Sequence, residues 1–196
     1  LGIGAVKTSF NTSEGVVVDY VDPANLVYSY TDSPTFDDIY YVGEVKSIPI
    51  NELKKQFPYL DHDELKDIAR NSGANHYDGN SSMHDSDTNK VDVLYFNYKT
   101  YMNEVYKMKK TATGGEKMVR KDDGFNPPEN EDRYQKVAKS VECLYEGALI
   151  LGTEKLIKWE KASNMMRSKS DYTKVKMNYS IVAPRMYKGR IDSLVN

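Results

Sequence analysis

The chain of 196 residues has a single cysteine, Cys143, so no internal disulfide can form, and a disulfide-stapled secreted domain is excluded. No apolar run approaches the ~18 residues that a membrane-spanning helix needs. Neither sign of charge dominates. The 27 Lys and Arg stand against 29 Asp and Glu, a net −2, which gives no global electrostatic case for tight nucleic-acid binding. Histidine is scarce: His62, His76 and His84 sit at or near one polar stretch, and with Asp78, Asp85 and Asp87 they match no compact metal-ligand spacing. Asp85-Ser-Asp87-Thr-Asn89 copies the opening of an EF-hand loop. However, Lys90 stands where the sharp turn needs glycine, and Phe96 where the bidentate glutamate belongs. Neither G-x-S-x-G nor G-x-x-x-x-G-K-[ST] occurs, which leaves hydrolase and NTPase readings without footing. No catalytic residue, metal or cofactor is therefore expected. The first residues, LGIGAVKTSF, lack the basic start and long apolar stretch of a signal peptide. With no initiator Met and an uncapped end, GRIDSLVN, the chain reads as an internal piece of a longer protein.

The composition that remains is that of an ordered globular chain: 39% hydrophobic and 29% charged, long enough for one respectable core or two small ones. Sixteen tyrosines stand out. Tyrosine favours strands and half-buried surfaces, so a β-rich domain with large subunit contacts is the first reading, ahead of a base-stacking or sugar-binding surface.

Residues 1–13 read as a loop or frayed terminus. Gly15–Val21 reads as a strand whose β-branched run, Val16-Val17-Val18, calls for burial on both faces. Asp22-Pro23 makes a turn. Short strands follow over Leu26–Tyr30 and Ile39–Ile48. A helix is expected over Ile50–Phe57, with Leu53 and Phe57 on one face between Pro49 and Pro58. A second runs from Asp61 to about Asn71, opened by an Asp61/Glu64 capping box and stopped by Gly73, with Leu65, Ile68 and Ala69 as its stripe. Residues 71–90 read as a flexible polar loop separating a 1–70 unit from a 91–196 unit. In the second unit Val91–Lys109 is extended, Gly114-Gly115 turns a hairpin back through Lys117–Lys121, and Asp122–Asp132 is a loop. Strands then span Val137–Tyr145, Ala148–Leu151 and Lys155–Lys161, broken near Gly147 and Gly152. Residues 162–173 are irregular, Val175–Val182 is a strand, and Ile191–Val195 opens a helix. The sum is α+β: mostly antiparallel β with hairpins and two short helices.

One basic cluster, Lys107, Lys109, Lys110, Lys117, Arg120 and Lys121, flanks the Gly114 hairpin. Its plainest reading is a solvated edge hairpin, and its sharper one is a contact to DNA phosphates or an acidic partner. Arg167, Lys169, Lys174 and Lys176 form a second basic set of the same kind. Cys143 reads as a buried, inert thiol. The acid pairs Glu142/Glu146 and Asp37/Asp38 read as surface charge.

The stretch from Val16 to Ile68 carries more information than any of these. Its order of pieces runs from strand to Asp22-Pro23-Ala-Asn25 turn to strand, through Phe36-Asp37-Asp38 and Tyr41-Val42-Gly43-Glu44, to a helix with Glu52, Leu53, Phe57 and Pro58. This order resembles the mid-chain region of tailed-phage portal proteins, especially those of crAss-like phages. Val137–Trp159 and Tyr179–Val195 look like later segments of the same family, the second just before its long tunnel helices. The resemblance covers most of the chain and implies a fragment from the wing or clip region of a portal subunit. It implies a non-enzymatic role in the virion, assembled in the host cytoplasm. The subunits would form a ring of about twelve copies, a closed cyclic assembly. Through its channel double-stranded DNA would pass without sequence specificity during packaging, retention and ejection. The implied partners are other copies of itself, the terminase large subunit and the tail adaptor, with no membrane. The rival from another class is a β-rich carbohydrate- or protein-binding module presenting exposed tyrosines.

Overall fold

In the computed structural model, which describes residues 2–71, 90–122, 124–127, 134–153 and 155–193, the chain is built on two antiparallel sheets. The expectations placed on Gly73, His76, His84 and the aspartates at 78, 85 and 87 lie outside these residues. The smaller sheet contains β1 (Gly4–Asn11), β2 (Gly15–Val21) and β11 (Tyr179–Val182), in the order β11-β1-β2. The larger contains β3 (Leu26–Tyr28), β4 (Tyr41–Pro49), β5 (Lys90–Lys110), β7 (Tyr134–Ile150) and β8 (Lys155–Lys161) in that spatial order, with β6 (Glu116–Lys121) added to the outer half of β5. Two-residue strands complete the set: β9 (Met166–Arg167) pairs with β10 (Val175–Lys176), and β12 (Met186–Tyr187) with β13 (Arg190–Ile191). With two short helices, α1 (Ile50–Gln56) and α2 (His62–Asn71), the fold is α+β with antiparallel β dominant, as the sequence indicated.

Strand period sorts the side chains. On β5 the residues Val91, Val93 and Tyr95 share an inner face with Ala148 and Ile150 of β7. The helices cover one end of that face: Leu53, Phe57, Leu60, Leu65 and Ile68 pack on it as one core. The helix termini follow their capping chemistry. The Asp61 backbone N–H donates to Glu64 Oε2 at 3.1 Å, the Glu64 half of the expected box, while Asp61 Oδ1 accepts from the Asp63 N–H rather than from that of Glu64. Lys155 Nζ then ties Glu64 to β8 at 2.6 Å. Further along the same inner face, Val42 and Leu144 meet Ala5, Val21, Tyr179 and Ile181 of the small sheet in a second core, with Phe36 and Ile39 filling beneath. The molecule is thus a two-layer arrangement in which helices and small sheet share one side of the large sheet.

Several expectations need correction. Residues 4–11 are a strand, not a loop: β1 is hydrogen-bonded on both sides, to β2 and to β11, and tertiary pairing overrides its polar composition. β7 does not break at Gly147, which pairs with Phe96 and Trp159. The irregularity is a register shift between Ala148 and Leu149 on the β8 side. Residues 162–173 contain β9. The strand expected over 175–182 is divided, because β10 pairs with β9 whereas β11 pairs with β1. Ile191 belongs to a tight hairpin rather than a helix. Its turn residues Lys188 and Gly189 have φ of 49° and 73°, the positive values of a type I′ connection. The Gly114 turn is as expected, with φ 81° and Thr111 N–H donating to Gly115 O at 2.7 Å.

Candidate interaction surfaces

β5 and β7 overrun both cores. From Tyr101 to Lys110, β5 continues about 33 Å at ~3.3 Å per residue, flanked by β6 on one edge and the start of β7 on the other. Register divides the basic cluster of this three-stranded arm. Lys107, Lys109, Lys117 and Lys121 fall on one face, joined by Lys136 from β7, which sequence proximity could not reveal. Phe125 lies among them, its ring within 5.7 Å of the Lys107 ammonium and 6.0 Å of that of Lys121. Lys110 and Arg120 face the other way with Glu104 and Glu116. There Arg120 pairs with Glu104 at 3.4 Å, and Glu104 also accepts from the Tyr106 hydroxyl at 2.8 Å, which raises the tyrosine pKa. The second basic set lies along one hairpin: Arg167 is in β9 and its Nη1 donates to Tyr172 O, Lys169 is in the connection, and Lys174 and Lys176 are at β10.

The motif residues of the first unit do not converge on one site. Asp22 Oδ1 accepts from the Ala24 N–H at 3.0 Å and caps a 3₁₀ turn over Pro23–Asn25. Asp37 and Asp38 accept from the hydroxyls of Thr35 and Thr31, so both carboxylates brace the loop before β4. Just before them Phe36 takes a φ of 56°, costly for a bulky side chain, and is held there by burial and an edge contact to Tyr28 at 5.1 Å. Leu53 and Phe57 are core, with Pro58 just past the end of α1. Tyr41 and Gly43 lie on the outer face of the large sheet, opposite Tyr98 and Phe96.

That outer face is aromatic. Tyr41, Phe96, Tyr98, Tyr145 and Trp159 stand on four adjacent strands, and Tyr40 meets Tyr98 edge-on. Trp159 stacks on Tyr145 at 5.1 Å and 11° yet stays 47% exposed. The Phe96 ring lies flat across Gly147: a Cβ there would sit 2.4 Å from its Cζ. Gly43 is equally tight, its Cβ position 2.7 Å from Phe96 Cβ.

The outer face of the small sheet is apolar as well. Val6, Phe10, Val16, Val18, Tyr20 and Val182 all point away from the core by register. Val16 is 68% exposed, Val18 61% and Tyr20 70%. The expectation that the valine run is buried on both faces therefore fails within the single chain, since no described element packs on that side.

Between the two cores the inner face of the large sheet turns polar and floors a cleft of about 680 Å³. Glu44, nearly buried, accepts from Lys7 at 3.2 Å and Lys46 at 3.1 Å beside it. Glu146 pairs with Lys158 at 3.1 Å, so charge at the floor is balanced internally. Burial works against the Lys158 charge, but hydrogen bonds to Glu160 and Glu146 raise its pKa. Asn97, 4% exposed, lines the cleft together with Asn164 and Asn178. The Tyr179 hydroxyl is buried, and burial, with the nearby Glu44 charge, pushes its pKa up. Glu142, by contrast, is structural, accepting from the Val175 N–H at 2.8 Å. Cys143 is buried as expected, and burial raises its thiol pKa. Among the described residues no group of His, Cys, Asp and Glu could hold a metal ion, and no helix is long and apolar enough to cross a membrane. No family model matches the chain, and no curated protein matches it.

Proposed function

We propose that this chain is a structural subunit of a portal ring at the vertex of a tailed-phage head, residing in the virion and acting without catalysis. In this reading about twelve copies close into a ring. They line the channel for packaging, retention and ejection of double-stranded DNA, and dock the terminase large subunit and the tail adaptor. The observation that carries the reading is the uncovered outer face of the small sheet. Exposed valines and aromatics at this density belong to surfaces that another protein covers, and a repeating subunit covers them without any second partner. The motif order from Asp22 to Pro58 supports the same reading, because those residues brace the turn, loop and core that set the two sheets against each other. The arm suits the reading too, reaching beyond the cores to where a neighbour or DNA would lie. The test is native mass spectrometry with negative-stain imaging of the complete product of the reading frame. Closed rings around an open channel are expected, and a stable monomer at high concentration overturns the proposal.

A second reading, a carbohydrate- or protein-binding module, is favoured by one feature. The Asn97 amide is a donor and an acceptor in a nearly buried position, in a charge-balanced cleft large enough for a small polar ligand. Chemical-shift mapping with maltotriose and N-acetylchitotriose tests it. Saturable shifts confined to Asn97, Asn164 and Asn178 would favour this reading over the ring.

A further inference from the structure

The valine-rich face of the small sheet and the aromatic face of the large sheet, where Tyr40 and Trp159 are about half exposed, lie on opposite sides of the molecule. The small sheet turns Ala5, Val21 and Ile181 inward onto Val42 and Leu144 of the large sheet. Its valine-rich face and the aromatic face of the large sheet therefore point away from each other, with both sheets and the core between them. We infer that successive copies of this chain stack head to tail, the valine-rich face of the β11-β1-β2 sheet lying on the aromatic face of the β4-β5-β7-β8 sheet of the next copy.

Three arguments select a second copy as the occupant. The first is area. A fully accessible aromatic side chain carries roughly 150–250 Å²; with Phe10, Val16, Val18 and Tyr20 each more than half exposed, the valine-rich face offers on the order of 500 Å² of apolar surface. That is near the top of the range for the largest patch on a typical monomer, and comparable with the roughly 800 Å² per partner that a stable interface buries. The second is chemistry. One face is pleated and β-branched (Val6, Val16, Val18, Val182), and the other is made of rings (exposed Tyr40 and Trp159, with half-buried Tyr98 between them). Aromatic against β-branched is a favoured pairing, and two antiparallel sheets stack face to face at about 10 Å. The third is economy of symmetry. A two-fold contact of either face with itself leaves the other bare, whereas one head-to-tail contact covers both, and its repetition yields a ring when the rotation closes. The inference rests on the ring reading for closure alone.

Two substitutions at exposed positions test it without disturbing the core: Val18→Glu on the valine face and Tyr40→Glu on the aromatic face, each checked for native circular dichroism. In sedimentation velocity the unaltered chain is expected to associate with rising concentration. Each variant alone should associate more than about thirtyfold more weakly, since an unpaired charge would be buried. An equal mixture of the two variants retains one intact contact and is expected to form a 1:1 heterodimer that grows no further. If the mixture stays monomeric while the unaltered chain associates, the head-to-tail pairing is overturned. A Val18→Glu chain that associates normally, or an unaltered chain monomeric at the highest soluble concentration, also overturns it. The two proposals fail separately. Heterodimers from the mixture with only open filaments from the unaltered chain would keep the stacking and sink the ring. Closed rings that survive Val18→Glu would do the reverse.

Discussion

Replacing Gly147 by alanine isolates one contact of the aromatic face. Gly147 sits in extended backbone, so alanine is free of the left-handed strain that a positive φ would impose, and by propensity it should stabilise the strand by about 0.5–1 kcal/mol. The site says otherwise. The new Cβ would lie 2.4, 2.6 and 2.9 Å from three atoms of the Phe96 ring, closer than carbon atoms approach, and a whole ring must move rather than the tip of a flexible chain. Phe96 is packed in turn against Gly43, whose Cβ position lies 2.7 Å from Phe96 Cβ, and against Trp159, its centroid 6.0 Å away. Overpacking of this kind costs about 1–3 kcal/mol, so Gly147→Ala is expected to destabilise by roughly 1–2 kcal/mol net. Urea unfolding followed through the single tryptophan, Trp159, reads both the midpoint and the displacement of the ring beside it. The decisive comparison is the double-mutant cycle. In a Phe96→Ala background the clash is gone, and the same glycine substitution should become neutral or stabilising by about 0.5 kcal/mol. A Gly147→Ala chain as stable as the parent, or an unchanged penalty in the Phe96→Ala background, would refute the packing argument.

Four further outcomes follow from the same reasoning. Leu53→Ala, at a fully buried position between α1 and the large sheet, should cost about 2–5 kcal/mol in urea unfolding, whereas Leu156→Ala on the exposed face should cost well under about 1. Lys7→Met strips a partner from the nearly buried Glu44 and should destabilise by about 1–3 kcal/mol, with Lys46→Met milder because Lys46 is the more exposed of the two. The hydrogen bond from Lys155 holds Glu64 below the ordinary carboxylate range. Its stabilising contribution is therefore present above the unfolded pKa and lost as pH falls through the lowered folded value, and Lys155→Met should move the Glu64 titration, followed by NMR, back up. Because burial raises the Cys143 thiol pKa, a thiol reagent at pH 8 should label it only at the rate of unfolding, so labelling as fast as that of a free thiol would contradict its placement.

Where local chemistry decides the outcome, the elements were legible in the sequence. β2 and the start of α1 coincide with their expected limits, the Glu64 half of the Asp61/Glu64 box forms, and Gly114 turns the hairpin. Apart from the local hairpins at 166–176 and 186–191, the failures share a physical cause: each was settled by pairing distant in sequence. β1 is polar along much of its length and becomes a strand because β2 and β11 flank it. Gly147 looked like a breaker, yet it is the slot for a ring two strands' worth of sequence away. Lys136 was absent from the basic cluster because only the β5–β7 register brings it beside Lys107. The cleft was invisible for the same reason, since Lys7, Asn97 and Glu146 come from three strands of two sheets.

The valine run of β2 makes the most instructive case. A continuous β-branched strand signals that both of its faces will be dry, and a sequence carries that signal identically whether the second cover comes from its own chain or from another. Val17 and Val21 turn toward the chain's own layer, and Val16 and Val18 turn away from everything it supplies. If the strand had evolved for a monomer, alternation would have placed polar residues at 16 and 18. The mismatch between a doubly apolar strand and a singly covered sheet is therefore information about assembly. It makes Val18→Glu the sharpest substitution in the chain, because a charge at a 61% exposed position should leave the stability of the isolated subunit within about 0.5 kcal/mol while abolishing its association. Equal losses of stability and association would mean that the valine face is covered within the chain after all.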